Sequence, residues 1–296
     1  MNNELEGKEF QFVDAHVHFY DMKHPRLQYD HWQPDRDHPF LGAQTRKLGG
    51  RNYTAFDFHE EAFPVGTVKA VHVQAAIGSK DPVVETEWLS RFRGKIGIPN
   101  AIVGHVDLRS DDAERQIQRH MLNPDFKGIR DFSYGDYLTS SAFRRGFKLL
   151  DEYELIACIA TEWPEISKLK NLASTYPNIR IILDHAGKPI ERNDEYFSNW
   201  KNGLKSISKE DNVICKISGL GMGDHDWTTE SIKPYVETCI EVFGIDRVIF
   251  GSNWPVDSLW SNYEKVINSY REIINQLTLS EREKFFFKNV DYIYDI

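Results

Sequence analysis

The feature that most constrains the fold is an alternation of short apolar segments with helical ones along the chain. Eight segments are near-continuous apolar runs, which is typical of strands buried in a parallel sheet. These strands are predicted at residues 11–19, 68–76, 101–108, 126–132, 155–160, 179–187, 212–219 and 247–255. Since eight such strands fit one barrel, the 296 residues are predicted to form a single (β/α)₈ TIM-barrel domain over 1–296.

Helical segments separate the predicted strands. They are expected at residues 81–93, from 110 onward, and at 141–152, 164–176, 194–208, 229–243, 258–275 and 280–288. Pro82 and Pro164 suit a first helical turn, and Ser280 with Glu283 matches a capping box. An open, doubly wound sheet is the alternative, but no Gly-x-Gly-x-x-Gly loop follows the first strand to favour it.

Polar residues interrupt the first predicted strand. Asp14, His16 and His18 alternate with apolar residues, and the period of a strand would place all three on one face. A polar row on such an apolar strand is costly to bury unless it meets a metal, a substrate or a hydrogen-bonding network. The two histidines behind an aspartate therefore indicate a site, with satisfied core histidines as the alternative.

Residues 20–52 follow this strand without any periodic pattern. The segment is crowded with histidines and aromatic residues and is broken by prolines and by the pair Gly49-Gly50. Loops of this length inside compact domains are uncommon and often serve as lids or binding loops. We therefore expect a long loop after the first strand that folds over a site, with a mobile surface insertion as the alternative.

Polar and ionisable side chains, which can bind substrates or transfer protons, are concentrated at the carboxyl ends of the predicted strands. The active sites of such barrels lie there. They are His16, His18, Gln74, His105, Asp107, Arg130, Asp131, Thr161, Glu162, Asp184, His185, Lys216, Ser218, Asn253 and Asp257. Structural roles are the alternative for His105 and Asp107, and helix capping is favoured for Thr161 and Glu162. The planar fork of Arg130 suits a carboxylate or a sugar-acid oxygen.

Composition and net charge limit the kinds of binding partner and the cellular compartment expected for the protein. A net charge of −9 argues against nucleic acid and anionic membranes, which leaves a small-molecule substrate as the expected partner. Three scattered cysteines are typical of reduced thiols in a cytoplasmic protein. The first nine residues lack the pattern of a signal peptide, and no run of 18 apolar residues predicts a membrane span. A homo-oligomeric state is left open.

Seven sequence motifs, each present once, follow one another along the chain in the order known from one protein family. They are DAHVH (14–18), DPVVETEW (81–88), GHVDL (104–108), KGIR (127–130), LDHAGKP (183–189), KISGLGM (216–222) and FGSNWPVD (250–257). With these motifs the chain resembles the amidohydrolase-related family of the amidohydrolase superfamily. It is most similar to the sugar-acid lactonases and more distantly to the pyrone-dicarboxylate lactonases. The resemblance implies a (β/α)₈ hydrolase that opens a cyclic ester.

The resemblance also implies roles for individual residues. In members that need a metal, the ligand positions map onto His16, His18, His185 and Asn253. Some lactonase relatives work without metal, and no strand-four lysine matches the one that bridges two metals. We therefore expect either no required cofactor or a single divalent metal, most of all zinc, on His16, His18 and His185. The expected substrate-binding residues are Gln74, Arg130, Lys216 and Trp254.

One position departs from the family pattern Gly-Ser-Asp-Trp-Pro, because Asn253 stands where the family has aspartate. An amide cannot take a proton from water, so the usual general base is missing there. Asp257 or His185 is a candidate to replace it. Alternatively, Asn253 is a change introduced to trap substrate, or the protein binds a ligand without turning it over. A metal-dependent decarboxylase of the same family is a further alternative to the lactonase.

Overall fold

The computed structural model describes residues 11–131 and 137–296. Its eight strands are β1 (Phe12–Val17), β2 (Thr67–Val73), β3 (Ala101–Gly104), β4 (Phe126–Ile129), β5 (Ile156–Ile159), β6 (Ile181–Leu183), β7 (Val213–Ile217) and β8 (Val248–Phe250). They form one parallel sheet in chain order. The N-terminal residues examined for a signal peptide, and Phe132 at the predicted end of the fourth strand, lie outside the described residues.

Helices connect the strands. They are α1 (Arg46–Gly49), α2 (Ala55–Ala62), α3 (Val83–Ile96), α4 (Ala113–His120), α5 (Ser141–Phe147), α6 (Leu149–Glu152), α7 (Ile166–Thr175), α8 (Asp194–Ile207), α9 (Thr229–Phe243), α10 (Tyr263–Ile273), α11 (Leu279–Glu283) and α12 (Asn289–Tyr294). Over the stretches that the structure describes, no helix has the length and apolarity needed to cross a membrane.

The first and last strands meet and close the sheet. Val17 forms a parallel bridge with Trp254, and the His18 amide donates to the Trp254 carbonyl at 2.7 Å. The Asp14 carboxylate adds a third link by accepting from the Ser252 amide at 2.9 Å. The predicted (β/α)₈ barrel is thereby confirmed.

Two apolar layers pack on the sheet. Alternate strand residues such as Val13, Val73 and Ile249 fill the barrel interior, and Tyr294 of α12 packs with them. The intervening residues join the larger layer between the strands and the outer helices. Full burial of such a side chain contributes about 1.5–3 kcal/mol, so the two layers together stabilise the barrel and hold the strand ends at fixed positions.

Several predicted elements differ in detail from the structure. The helix α2 was not predicted, because its eight residues follow directly on the irregular 20–52 segment. The helix expected at 141–152 is divided at Lys148 into α5 and α6. The predicted capping box at Ser280 is wrong: Thr278 caps α11 and pairs with Glu281.

The first strand also departs from the simple alternation. The pairing of β1 with β2 is irregular between Asp14 and Val17, where three steps along β1 match two along β2. The extra residue shifts the following side chains to the other face. Asp14 therefore faces outward and accepts from the Tyr263 hydroxyl of α10 at 2.9 Å. The prediction that Asp14 shares a face with His16 is wrong, since His16 contacts Asp184 and His185.

Candidate active site

A cavity opens at the carboxyl ends of the strands, and its empty space, including the solvent at its mouth, is about 590 Å³. Its position is where the active sites of such barrels lie. The lining residues within three positions after a strand include His18, Gln74, Arg130, Ala160, His185 and Asn253. Of the predicted site residues, the structure thus brings His18, Gln74, Arg130, His185 and Asn253 to one cavity.

The 20–52 loop forms one wall of this cavity. Its ends are tied by backbone hydrogen bonds between Tyr20 and Tyr53, at 2.6 and 3.0 Å. Between them the loop contributes four lining residues, which are His31, Trp32, His38 and Leu41. Trp32 contacts the edge of His18, with ring centroids 5.6 Å apart. The loop therefore covers the site, as its unusual composition predicted, but its individual lining residues were not identified from the sequence.

Hydrogen bonds fix the tautomers of two of the histidines that line the cavity, His18 and His185. His18 Nδ1 lies 2.7 Å from the Val73 carbonyl, which can only accept, so a neutral His18 carries its proton on Nδ1. Its Nε2 is then left with a lone pair. Arg130 Nη2 lies 3.4 Å from His185 Nε2, and His185 Nδ1 lies 2.9 Å from the Ser218 hydroxyl. Because Arg130 can only donate, the lone pair of His185 is already engaged.

A buried carboxylate, Asp184, holds the floor of the site together. Its Oδ1 lies 3.1 Å from Lys216 Nζ and 3.6 Å from His16 Nδ1, and its Oδ2 lies 3.3 Å from Arg130 Nε. Burial alone would raise the pKa of Asp184, but the ammonium group of Lys216, the neighbouring ring of His16 and the Arg130 guanidinium hold that pKa well below its usual range. Asp184 is therefore ionised between two cations.

Lys216 was predicted to bind substrate, but the structure places it below the cavity. The side chain is fully buried and is absent from the described lining of the cavity. Its ammonium group lies among Asp184, the Cys158 thiol at 4.0 Å and the face of Tyr294 at 5.9 Å. The alternation of β7 aims residue 216 into the barrel interior, where a lysine needs a buried anion. Lys216 therefore holds Asp184 rather than a substrate.

Several buried polar atoms at the site have no hydrogen-bond partner within the protein. They include both ring nitrogens of His16, both amide atoms of Gln74 and the amide nitrogen of Asn253. An unpaired buried polar group costs about 1–3 kcal/mol, so proteins rarely keep several of them together without a function. Gln74 and Asn253 also line the cavity. They therefore offer amide groups to a bound molecule.

Asp257 lies behind Asn253 and not on the cavity. Its Oδ1 comes within 2.7 Å of the point where a Cβ on Gly221 would lie, and it faces a small separate hollow with Trp227 and Tyr270. Burial raises the pKa of Asp257 to about 8, although the neighbouring Asn253 side chain lowers it. A carboxyl group in this state is protonated at neutral pH. Direct contact between Asp257 and a substrate is not part of this arrangement.

Burial acts in the opposite sense on His18. Together with the charge of Arg130 and the nearby His72, it lowers the pKa of His18 to about 3, against a raising effect of the hydrogen bond to Val73 and of Asn253. The ring is therefore neutral at every pH at which the protein would work. Its Nε2 therefore keeps an unprotonated lone pair near neutral pH, and the low pKa makes this nitrogen a weak base.

Strained backbone concentrates at the site. The left-handed region of φ is occupied by six non-glycine residues in the described chain, and His185 (φ 55°), Lys188 (φ 47°) and Asn253 (φ 60°) line the cavity. Such conformations cost about 1–3 kcal/mol each and persist where the surroundings impose them. Gly219 (φ 61°) permits the close packing, because a Cβ there would lie 2.8 Å from His185 Nδ1.

Other sequence-predicted residues have structural contacts. Trp254 is buried away from the cavity, with its indole donating to Glu61 at 2.8 Å, so its predicted substrate contact is not supported. His105 lies against the Arg130 carbonyl at 3.2 Å and Asp107 pairs with Arg109. Lys188 was missed as a site residue, although the motif that contains His185 also contains it.

The predicted metal ligands are only partly brought together. Within the described chain, the group whose donor atoms lie within 4.8 Å of one another is His16, Asp184 and His185, without His18. Both Asp184 oxygens already face cations, Lys216 and Arg130, and both His185 nitrogens have partners. A divalent ion would add two charges beside two cations and one carboxylate, which is strongly unfavourable in a buried site. The residues do not fit a resident divalent metal.

Comparison with known families identifies the family of the chain. The model of the Amidohydrolase family matches residues 13–295 of the chain. The chain belongs to the amidohydrolase family. It is therefore an enzyme of the hydrolase class, and the resemblance inferred from the seven motifs is confirmed.

Individual members of the family are similar to the chain in sequence or in structure. The chain is 32% identical over 300 residues to the uncharacterized protein y4mH of Sinorhizobium fredii, covering 97% of this chain and 99% of the relative. It is 27% identical to an L-fucono-1,5-lactonase of Burkholderia ambifaria, covering 85% and 82%. A solved amidohydrolase from Burkholderia multivorans with bound zinc superposes with a TM-score of 0.82 at 22% identity, covering 97% and 99%.

Proposed function

We propose that this amidohydrolase opens a lactone, derived from a sugar acid or carrying a carboxylate, by attack of water on the ring carbonyl. The similarity to L-fucono-1,5-lactonases supports the class of reaction. The observation that carries the proposal is the meeting in one cavity of the unpaired buried amide of Gln74, the buried amide nitrogen of Asn253 and the neutral ring of His18. Ester hydrolysis needs such a combination of an oxyanion site and a base.

The amide groups account for the stabilisation of negative charge. As water adds to the carbonyl carbon, the carbonyl oxygen becomes an oxyanion. Gln74 Nε2, Asn253 Nδ2 and the Arg130 guanidinium provide donors on the cavity wall for this oxyanion. Loss of one such donor typically costs about 10²–10³ in kcat. In this proposal Asn253 therefore contributes as a donor, a role that the family's aspartate could not take when ionised.

The histidine accounts for the proton transfers. His18 Nε2 takes one proton from the attacking water, and the tetrahedral intermediate carries the negative charge on the former carbonyl oxygen. When that intermediate collapses, the bond from carbon to the ring oxygen breaks. The ring oxygen then receives the proton from His18, which yields the open hydroxy acid and restores the neutral ring. Proton transfer of this kind contributes about 10²–10⁴ to the rate.

A metal enters no step of this proposal, because Lys216 and Arg130 already pair with the two carboxylate oxygens of Asp184. The same reasoning sets aside the metal-dependent decarboxylase as a second candidate. The ligand-binding alternative rested on the missing carboxylate at position 253. His18 provides another base, so that alternative has no observation of its own.

A panel of aldono-1,4-lactones, aldono-1,5-lactones and carboxylated lactones tests the proposal, with and without added zinc. We expect hydrolysis of at least one member well above its spontaneous rate, and a loss of about 10²-fold or more in kcat for His18→Gln. His225→Gln, at an exposed histidine outside the cavity, is the matched control and should keep wild-type activity. No hydrolysis of any lactone by the wild-type protein under either condition would refute the proposal.

A further inference from the structure

The cavity has a marked bias in charge. Its described lining includes the cations Arg130 and Lys188 and four histidines, which are His18, His31, His38 and His185, but no carboxylate. The chain as a whole carries a net charge of −9. An acid-free, cation-bearing cavity in an acidic protein points to a ligand that carries negative charge.

The anions that balance the two cations lie outside this lining. Asp184 contacts Arg130 from the buried side, at 3.3 Å. Glu162 lies 3.1 Å from Lys188 Nζ and is more exposed than the lysine, with side-chain exposures of 37% and 23%. An ammonium group has three donors, and the ion pair with Glu162 uses one of them. Lys188 can therefore keep Glu162 and still bind a further anion on its cavity side.

Two contacts fix the position of Lys188 at the cavity. Its amide donates to the His185 carbonyl at 2.8 Å, so both residues share one turn. The ammonium group lies 5.0 Å from the centre of the Phe40 ring of the 20–52 loop. His31 and His38 of that loop are in mutual ring contact at 5.1 Å and line the same cavity. The lysine thus stands between the reacting centre and the covering loop.

We propose that the lactone carries a carboxylate, which Lys188 binds together with His31 and His38 while the ring carbonyl lies at Gln74 and Asn253. This inference rests on the proposed lactonase function and selects, among its substrates, those with a charged group away from the ester. Lys188 is then a specificity-determining residue. A charge-assisted hydrogen bond contributes about 1.5–3 kcal/mol, which corresponds to tenfold or more in kcat/KM.

Matched substrates test the inference. An aldarate monolactone, which has a carboxylate at its far end, is compared with the aldonolactone that has a hydroxymethyl group there. We expect kcat/KM to favour the carboxylated lactone by about tenfold or more in the wild type. Lys188→Met should lower that ratio by about tenfold, Lys188→Arg should keep most of it, and Lys233→Met on the outer helix α9 should leave it unchanged. A wild-type ratio of one, or a ratio that Lys188→Met does not change, would overturn the inference.

A binding measurement separates this inference from the lactonase proposal itself. Tetrahydropyran-2-carboxylate cannot be hydrolysed, and tetrahydropyran-2-methanol is its neutral counterpart. Calorimetry should show tighter binding of the carboxylate to the wild type and loss of that preference in Lys188→Met. If no lactone is hydrolysed but this preference is found, the carboxylate site stands and the lactonase proposal fails. Equal binding of both compounds overturns the carboxylate site, whatever the enzyme hydrolyses.

Discussion

At the scale of single residues, the identity of the general base depends on what each candidate group already contacts. His185 gives its lone pair to Arg130, and Asp257 lies behind Asn253 with a pKa raised to about 8 by burial. His18 also lies on the cavity, and the side chain beside its ring is the neutral amide of Asn253 rather than a permanent cation. The sequence pointed to Asp257 or His185 because it shows neither hydrogen-bond partners nor depth behind a neighbouring side chain.

The pH profile of kcat/KM distinguishes His18 from Asp257 as the base. Because the pKa of His18 is lowered to about 3, the ring is unprotonated throughout the range above that value. We therefore expect kcat/KM to stay constant within about twofold from pH 5 to pH 8 after subtraction of spontaneous hydrolysis. With Asp257 as the base, protonation below about pH 8 would instead lower kcat/KM about tenfold per pH unit.

Asp257→Asn provides the companion measurement for the same question. The substitution keeps the size of the side chain and removes the ionisable group. A constant profile retained in this variant supports His18, whereas a steep acid limb in the wild type that disappears in Asp257→Asn would identify Asp257 as the base.

At the scale of secondary-structure elements, the irregularity in β1 decides which side chains reach the site. Asp14 faces outward and accepts from the His16 amide at 3.1 Å, the Ser252 amide at 2.9 Å and the Tyr263 hydroxyl at 2.9 Å. These bonds join β1 to β8 and to α10. Asp14 therefore fixes the backbone from which His16 turns inward.

Asp14→Ala is expected to destabilise the barrel and to misplace His16. The loss of three hydrogen bonds that leaves buried donors unpaired should lower the free energy of unfolding by about 3 kcal/mol or more, measured by urea denaturation at pH 7. Asp14→Asn keeps one acceptor oxygen and should lose clearly less. A change below about 0.5 kcal/mol in Asp14→Ala would contradict the anchoring role.

The elements also show how far the sequence alone leads. Apolar periodicity located all eight strands, since each is buried on both faces and reads as an apolar run. It could not reveal the extra residue in β1, because apolar and polar residues still alternate in the sequence of an irregular strand. Nor could it identify His31 and His38 as lining residues, because the 20–52 loop has no period and its course depends on contacts with distant segments such as Ile77.

At the scale of the whole molecule, closure of the barrel gathers charges that are far apart in sequence. Asp184 follows β6, Lys216 lies on β7 and Arg130 follows β4, yet they form one buried cluster beside His16 of β1. Each residue was visible at a predicted strand end, but the sequence could not show that Lys216 and Arg130 take both oxygens of the same carboxylate. The pairing decides whether the histidines belong to a metal site or to a site that carries its own positive charge.

Metal content tests this conclusion for the molecule as a whole. Because two cations already neutralise Asp184, we expect the purified wild-type protein to hold far less than one equivalent of zinc. Dialysis against a chelator should change kcat/KM and the thermal midpoint little. Lys216→Met removes the ammonium group and leaves Asp184 in need of a cation beside His16 and His185, so this variant should gain zinc affinity. The exposed control Lys233→Met should behave as the wild type. The expectation is contradicted if the wild type holds one tightly bound equivalent of zinc and loses activity when that zinc is removed and regains it when zinc is returned. The buried cluster would then be a functional zinc site.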